Sequence, residues 1–109
     1  MTVCRALRRA GFTTSTAPDG ESALREVLVV KPALVVSDVL MPGINGFQVC
    51  RQLKANPDTA AIPVIMMSGK TDPADHFWAE EVGARILLRK PVDDSRLLAE
   101  IARALTVPP

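Results

Sequence analysis

Apolar and polar positions alternate along the chain in two different periods, and the changes of period predict an ordered series of helices and strands. Apolar side chains at helical spacing predict helices over residues 2–10, 21–30, 46–55 and 73–82 and from Asp93 or Asp94 onward. Short apolar or β-branched runs between them predict strands over residues 13–17, 33–38, 62–67 and 84–88. This alternation is typical of a three-layer αβα fold, in which helices cover both faces of a parallel sheet.

Glycine and proline residues mark the ends of several of these elements. Gly11 follows the first helix, and Lys31 ends the second because Pro32 disfavours helical backbone in the residue before it. Pro73 is expected at the first position of the fourth helix, with Asp72 as its N-cap. The connections are short, and the sequence contains no repeat and no low-complexity stretch.

Length and composition narrow the class of protein. The 109 residues predict a single domain over residues 1–109, and the 48% hydrophobic and 23% charged content argues against disorder. The formal net charge of +1 gives no electrostatic footprint for nucleic acid, and no apolar run is long enough to span a membrane. No secretory signal is visible, and Cys4 and Cys50 are expected to be reduced, buried thiols, so a cytoplasmic protein is expected.

Polar side chains stand at the ends of the last three predicted strands. Asp38 ends the strand at 33–38, Ser68 follows the next strand, and Lys90 closely follows the last one. Because the carboxyl ends of parallel strands meet at one edge of a sheet, these side chains are expected to converge. A carboxylate could then act as a nucleophile toward a phosphoryl group, with the hydroxyl and the ammonium stabilising charge on its oxygens.

Each of these residues also has an ordinary structural explanation. An aspartate after a strand is often a cap, a serine there often forms a turn, and a lysine before proline is often a surface residue. The placement of all three at consecutive strand ends is what favours a functional site.

The residues around Asp38 resemble a known family. Residues 37–47, with the sequence SDVLMPGINGF, look like the phosphorylation loop of a response-regulator receiver domain of the CheY-like superfamily. Ser68 lies 30 residues after Asp38 and Lys90 lies 22 residues after Ser68, and both intervals match that family. Residues 17–24 are similar to the family's second strand-to-helix turn. The resemblance extends over nearly the whole chain and implies a flavodoxin-like sheet.

The resemblance implies a signalling switch rather than an enzyme. Asp38 would accept a phosphoryl group from a histidine kinase or a phosphotransfer protein, and the switch would act on a downstream effector protein or domain. Ser68 would supply the hydroxyl that turns toward the phosphoryl group, and Lys90, before a cis bond to Pro91, would supply the cation. Asp38 and the backbone carbonyl of Leu40 would bind Mg²⁺.

The sequence departs from the family before residue 19. Receiver domains begin with a strand that ends in two acidic residues, which help to bind Mg²⁺, but here no acidic residue precedes Asp19. Asp38 and Leu40 alone leave most of the octahedral shell to water, so weak Mg²⁺ binding is expected. This departure leaves three possibilities open. Metal binding is weak, or the first strand was lost by truncation or a mistaken start site, or the protein has a signalling role without phosphorylation.

The missing first strand would leave four strands and five helices. In the family it lies between the strand at 13–17 and the strand at 33–38, so its absence leaves backbone groups unpaired. The strand at 13–17 would then move across to pair with the strand at 33–38, or a second copy of the chain would pair with the exposed edge as a homodimer.

A partner surface is expected on the fourth helix, the strand at 84–88 and the last helix. Phe77 and Trp78 are adjacent and cannot both face the core, so one of them is expected to contribute to an exposed apolar patch. Leu87 stands three residues before Lys90, where the family usually has an aromatic residue that changes rotamer, and this predicts a weaker conformational readout.

Three functions remain open at this point. The first is a phosphorylated receiver, and the second is a pseudo-receiver that acts as an interaction or dimerisation module with little phosphorylation. The third is a phosphatase-like hydrolase with Asp38 as nucleophile. The hydrolase is the poorest of the three because Leu40 stands where a second acid or base would be required.

Overall fold

A computed structural model describes residues 7–69 and 73–106, in which four helices and three strands follow a helical turn at 7–9. In chain order they are α1 (Gly20–Val30), β1 (Val35–Asp38), α2 (Gly46–Ala55), β2 (Val64–Ser68), α3 (Pro73–Glu81), β3 (Ile86–Arg89) and α4 (Asp94–Thr106). Each lies within two residues of a predicted element. The predicted helix at 2–10 is described only from residue 7, and the predicted Asp72 cap lies outside the described residues.

The three strands form one parallel sheet in the order β1-β2-β3. The register places Asp38 beside Met67 and Ser68 beside Arg89, so the carboxyl ends of all three strands reach the same edge. Every residue of β2 is buried, as expected for a central strand that is covered on both faces. The sheet therefore brings the predicted polar strand ends to one place.

Two hydrophobic clusters lie on opposite faces of this sheet. Val64 and Met66 of β2 belong to a cluster with side chains of α1, α2 and α3. Ile65 and Met67 belong to a second cluster with β3 and α4, against which Leu7 also packs. Successive side chains of a strand point to opposite faces, so β2 contributes to both clusters and the predicted three-layer arrangement is confirmed.

The predicted strand at residues 13–17 is wrong. The described residues form three strands rather than four, and residues 12–17 have no regular secondary structure and do not pair with β1. Two side chains of this segment form hydrogen bonds with neighbouring helical residues: Arg8 Nε donates to Thr14 Oγ1 at 3.0 Å, and Ser15 Oγ donates to Glu26 Oε1 at 3.1 Å. A β-branched composition favours extended backbone, but only pairing with another strand makes that backbone part of a sheet.

The connection from α2 to β2 is fixed by buried and half-buried polar side chains. Lys54 Nζ donates to the backbone carbonyls of Ala60 and Ile62 at 3.1 and 2.6 Å. Thr59, which is only 1% exposed, donates from Oγ1 to the Leu53 carbonyl at 2.7 Å. These bonds satisfy loop carbonyls that the fold removes from water, and they hold the start of β2 against the end of α2.

No helix within residues 7–69 and 73–106 has both the length and the apolar composition that crossing a membrane requires.

Candidate functional site

Asp38 and Lys90 are in direct contact at the carboxyl edge of the sheet. Asp38 is the last residue of β1, and its Oδ1 lies 2.6 Å from Nζ of Lys90. The Asp38 side chain is 32% exposed and the Lys90 side chain is 43% exposed, although Oδ1 itself is inaccessible to solvent. The contact therefore joins a partly shielded carboxylate to a cation that remains open to solvent on one side.

The contact between Asp38 and Lys90 crosses the central strand. β1 and β3 both pair with β2 and not with each other, so their axes are separated by about 10 Å, twice the usual strand spacing. The Lys90 backbone N–H donates to the Ser68 carbonyl at 2.7 Å, which fixes the base of this side chain beside the end of β2. The Lys90–Pro91 peptide bond is cis, as the resemblance implied. The long lysine stem spans the remaining gap.

Ser68 lies between them at the end of β2, and its hydroxyl is bonded to a residue that the sequence analysis did not identify. Ser68 is 7% exposed, and its Oγ lies 3.1 Å from Oδ2 of Asp75 in the first turn of α3. Acidic residues are common in the first turn of any helix, so Asp75 carried no signal that related it to Ser68. The structure thus brings Asp38, Ser68 and Lys90 to one edge and adds Asp75 beside them.

The loop after Asp38 is shaped by its backbone contacts with β2 and α2. Val39 N–H donates to the Met67 carbonyl at 2.9 Å, and the Val39 carbonyl accepts from Gly46 N–H at 2.8 Å. Asn45 caps α2 in a reciprocal capping box with Gln48, in which the two side chains accept from each other's backbone N–H groups at 2.9 and 2.8 Å. These bonds close the loop against the sheet and leave the Leu40 side chain 76% exposed.

Ser37 strengthens the backbone at the end of β1. Its buried Oγ donates to the Asp38 carbonyl at 3.0 Å and lies 4.0 Å from the Met41 sulfur. Gly46 packs so closely beneath the same carbonyl that a β-carbon there would overlap the Asp38 oxygen. The Asp38 backbone is therefore held from two sides.

The described residues do not by themselves form a complete magnesium site. No group of three or more acidic, histidine or cysteine ligands occurs within residues 7–69 and 73–106. Asp19 caps α1, where the Ser22 N–H donates to its Oδ1 at 2.8 Å and holds the pKa of the carboxyl below its ordinary value. Of the residues that end strands in the described sheet, Asp38 alone is a carboxylate. Mg²⁺ prefers six oxygen ligands, so most of its shell would be water here.

A second exposed surface lies on α3, β3 and α4. Phe77 and Trp78 are 56% and 45% exposed, and their rings meet edge to face with centroids 5.3 Å apart. A groove on the same three elements and the β3–α4 connection is lined by His76, Leu87, Leu88, Arg89, Pro91, Val92, Asp93 and Arg96. Both aromatic side chains, rather than one of them as predicted, thus contribute to the exposed apolar patch.

The family model for the response regulator receiver domain matches residues 1–102. Its extent covers the whole described sheet and the three residues that meet at its edge. The chain therefore belongs to the response regulator receiver domain family, whose members are the receiver domains of two-component signalling proteins.

Curated relatives include proteins of different lengths. Protein PilH of Pseudomonas aeruginosa is 39% identical over 99 residues, which cover 91% of this chain and 82% of PilH. The response regulator PleD of Caulobacter vibrioides is 41% identical over 95 residues, or 87% of this chain and 21% of PleD. The DNA-binding response regulator MtrA of Mycobacterium tuberculosis is 37% identical over 91% of this chain and 42% of its own length. The chain thus spans most of PilH but about a fifth of PleD and less than half of MtrA.

Solved structures confirm the CheY-like, flavodoxin-like fold. The signal receiver domain of a signal transduction histidine kinase from Syntrophus aciditrophicus superposes with a TM-score of 0.88 at 35% identity, over 96% of this chain and 80% of that chain. Chemotaxis protein CheY4 of Vibrio cholerae superposes with a TM-score of 0.89 at 30% identity, over 95% of this chain and 87% of that chain.

Proposed function

We propose that this chain is a phosphorylated switch in which Asp38 accepts a phosphoryl group from a histidine kinase or a phosphotransfer protein. The observation that carries the proposal is the 2.6 Å contact between Asp38 Oδ1 and Lys90 Nζ across the end of β2. Such a contact holds a cation where phosphoryl oxygens would lie, next to the oxygen nucleophile. Membership of the receiver family supports the same role, because phosphorylation by a histidine kinase is typical of that family.

The proposed reaction is a transfer between a phosphohistidine and a carboxylate. An oxygen of Asp38 attacks the phosphorus atom, so that an O–P bond forms while the N–P bond of the donor breaks and the imidazole leaves with that electron pair. Lys90 neutralises charge on the transferred group, and the Ser68 hydroxyl donates a hydrogen bond to one of its oxygens. The product is an acyl phosphate on Asp38.

Mg²⁺ has a limited place in this proposal. Receiver domains typically bind Mg²⁺ for phosphorylation, and the ion supplies positive charge to the phosphoryl oxygens when it is bound. In this chain Asp38 and the backbone carbonyl of Leu40 would hold it. Because the described strand ends offer one carboxylate, we propose that the ion binds weakly.

We propose that the output is a change in protein contacts at the surface formed by α3, β3 and α4. Phe77 and Trp78 supply exposed apolar area, and Arg89 and Arg96 supply positive charge along the neighbouring groove. Such a surface fits a downstream effector protein or domain, and it requires neither nucleic acid nor a membrane. Receiver domains generally act as switches rather than enzymes, and we extend that role, and a cytoplasmic location, to this chain.

Incubation with Mg²⁺ and acetyl phosphate tests the phosphorylation of Asp38. The intact mass of the wild-type chain is expected to rise by one phosphoryl group, and Asp38→Ala is expected to abolish that rise. Asp58→Ala, which removes an exposed carboxylate from the loop before β2, is expected to leave it unchanged. Absence of the mass increase at saturating donor would exclude the proposal and favour the pseudo-receiver, an interaction module with the same fold.

One observation favours an additional role in self-association. Within the described residues β1 pairs only with β2, so its outer edge carries backbone groups that no described strand satisfies. We propose that a second copy of the chain pairs with this edge. Light scattering is expected to give the mass of a dimer, and a monomer that melts cooperatively would contradict this part of the proposal.

A further inference from the structure

The Ser68 hydroxyl is bonded to α3 in the unphosphorylated protein. Its Oγ lies 3.1 Å from Oδ2 of Asp75, so the bond joins the end of the central strand to the first turn of the helix. Ser68 is buried and Asp75 is half-buried, which shields the bond from much of the solvent. Hydrogen bonds are electrostatically stronger where water is partly excluded.

Asp75 and a phosphoryl group on Asp38 would compete for the one proton of the Ser68 hydroxyl. A serine hydroxyl has one proton, and a carboxylate can only accept hydrogen bonds, so Ser68 is the donor to Asp75. The proposed function requires the same proton to be donated to a phosphoryl oxygen on Asp38. We propose that Asp75 is a positioning residue that retains the Ser68 hydroxyl in the unphosphorylated state and thereby opposes phosphorylation. This inference rests on the proposed function of Asp38.

The same bond connects the site to the partner surface. Asp75 precedes Phe77 and Trp78 in α3, and Trp78 lies about one helical turn after it. When Ser68 turns to a phosphoryl group, the first turn of α3 loses this hydrogen bond to the end of β2. Trp78 is the single tryptophan of the chain and is 45% exposed, so its fluorescence reports a change in α3 directly.

Titration with beryllium fluoride in the presence of Mg²⁺ tests the inference, because trifluoroberyllate on an aspartate mimics a phosphoryl group. Trp78 fluorescence is followed for the wild-type chain, Asp75→Asn and Asp75→Ala. Asp75→Ala is expected to lower the apparent Kd about threefold to tenfold, the effect of removing one hydrogen bond that stabilises the unliganded state. Asp75→Asn retains a neutral acceptor and is expected to give a smaller decrease.

A second measurement and two controls separate the hydrogen bond from a simple effect of charge. The fraction of chain phosphorylated by sub-saturating acetyl phosphate, measured by intact mass, is expected to rise in the same order. A gain caused only by the loss of negative charge would not depend on Ser68, so Asp75→Ala is repeated in a Ser68→Ala background, where no gain is expected. Asp94→Asn removes a first-turn carboxylate from α4 and is expected to change neither measurement.

The outcomes distinguish this inference from the proposed function. A gain that requires Ser68 supports the role of Asp75, as does binding by Asp75→Ala where the wild-type chain does not bind. Equal apparent Kd values for the wild-type chain and the Asp75 variants, or a gain that persists without Ser68, overturn the inference alone. Absence of binding and of phosphorylation in all variants overturns both.

Discussion

Gly46 holds the first turn of α2 directly beneath the backbone of Asp38. Its N–H donates to the Val39 carbonyl at 2.8 Å, and the residue is buried. A β-carbon at this position would overlap the Asp38 carbonyl oxygen and would approach the Met66 side chain to 2.8 Å. The backbone oxygen cannot move without displacing the end of β1, so the glycine permits a close approach that the site geometry requires.

Gly46→Ala is therefore expected to destabilise the protein by about 1–3 kcal/mol, the usual cost of overpacking in a core. The free energy of unfolding, measured by urea denaturation with circular dichroism, checks this value. Gly69→Ala is the matched control, because a β-carbon there meets no atom within 4 Å, and a change within about 0.5 kcal/mol is expected. Equal free energies of unfolding for the two variants would show that the Asp38 backbone moves to accommodate the β-carbon without a measurable loss of stability.

The sequence predicts the proximity of some residues of the candidate site but not of others. Asp38, Ser68 and Lys90 follow strands, and parallel topology alone brings strand ends to a common edge. The bond between Ser68 and Asp75 depends on how the connection to α3 folds back onto the sheet. No periodicity or local propensity describes that path, so the bond between Ser68 and Asp75 could be recognised only from the structure.

At the level of the elements, α1 begins at a side-chain cap. Asp19 has extended backbone, and its Oδ1 accepts from the Ser22 N–H at 2.8 Å, which satisfies one donor of the first helical turn. This bond favours the ionised form and lowers the pKa of the Asp19 carboxyl. The stability that ionised Asp19 contributes is therefore fully present above the ordinary aspartate value of about 3.9 and is lost as the pH falls through the lowered folded value.

Asp19→Ala is expected to lower the melting temperature at pH 7, and its difference from the wild-type chain is expected to shrink at acid pH. Asp19→Asn, which keeps a capping oxygen without a charge, is expected to be less destabilised than Asp19→Ala and to lack this acid dependence. Thermal melts from pH 7 to pH 2 followed by circular dichroism measure both effects. A constant difference between the wild-type chain and Asp19→Ala over that range would contradict the assignment of the cap to the ionised carboxylate.

Helices and strands were predicted with different success for a physical reason. The bounds of α2 agree with the prediction because its capping box and its apolar spacing are local features of the sequence. The segment 13–17 has the composition of a strand, yet its backbone finds no neighbouring strand in the described sheet. Strand formation depends on a partner that is distant in sequence, so composition alone could not decide it.

At the scale of the whole molecule, Cys50 lies in the core between the sheet and the helices α1, α2 and α3. Its side chain is 0% exposed to solvent in the hydrophobic cluster on that face of the sheet, and its thiol donates to the Val82 carbonyl at 3.5 Å. Burial raises the pKa of this thiol above its ordinary value, and Lys54 only partly offsets that effect. Because the thiolate is the reactive form, both exclusion from solvent and the raised pKa protect Cys50 from thiol reagents in the native state.

This protection predicts that Cys50 is labelled only through global unfolding. Its side chain packs among residues of α2 and β2, so a reagent reaches it when both elements separate, and cooperative domains open their cores last. In a Cys4→Ser background, labelling of Cys50 by a disulfide reagent is expected to be at least about 10³-fold slower in buffer than in urea, given the usual stability of a folded domain. The free energy calculated from that ratio should equal the value from circular dichroism.

Ala102→Cys, on the exposed face of α4 in a background without the other two thiols, should be labelled at the unfolded rate. Rapid labelling of Cys50 at urea concentrations where the circular dichroism is unchanged would instead show that α2, which begins at Gly46 beneath Asp38, opens independently of the sheet.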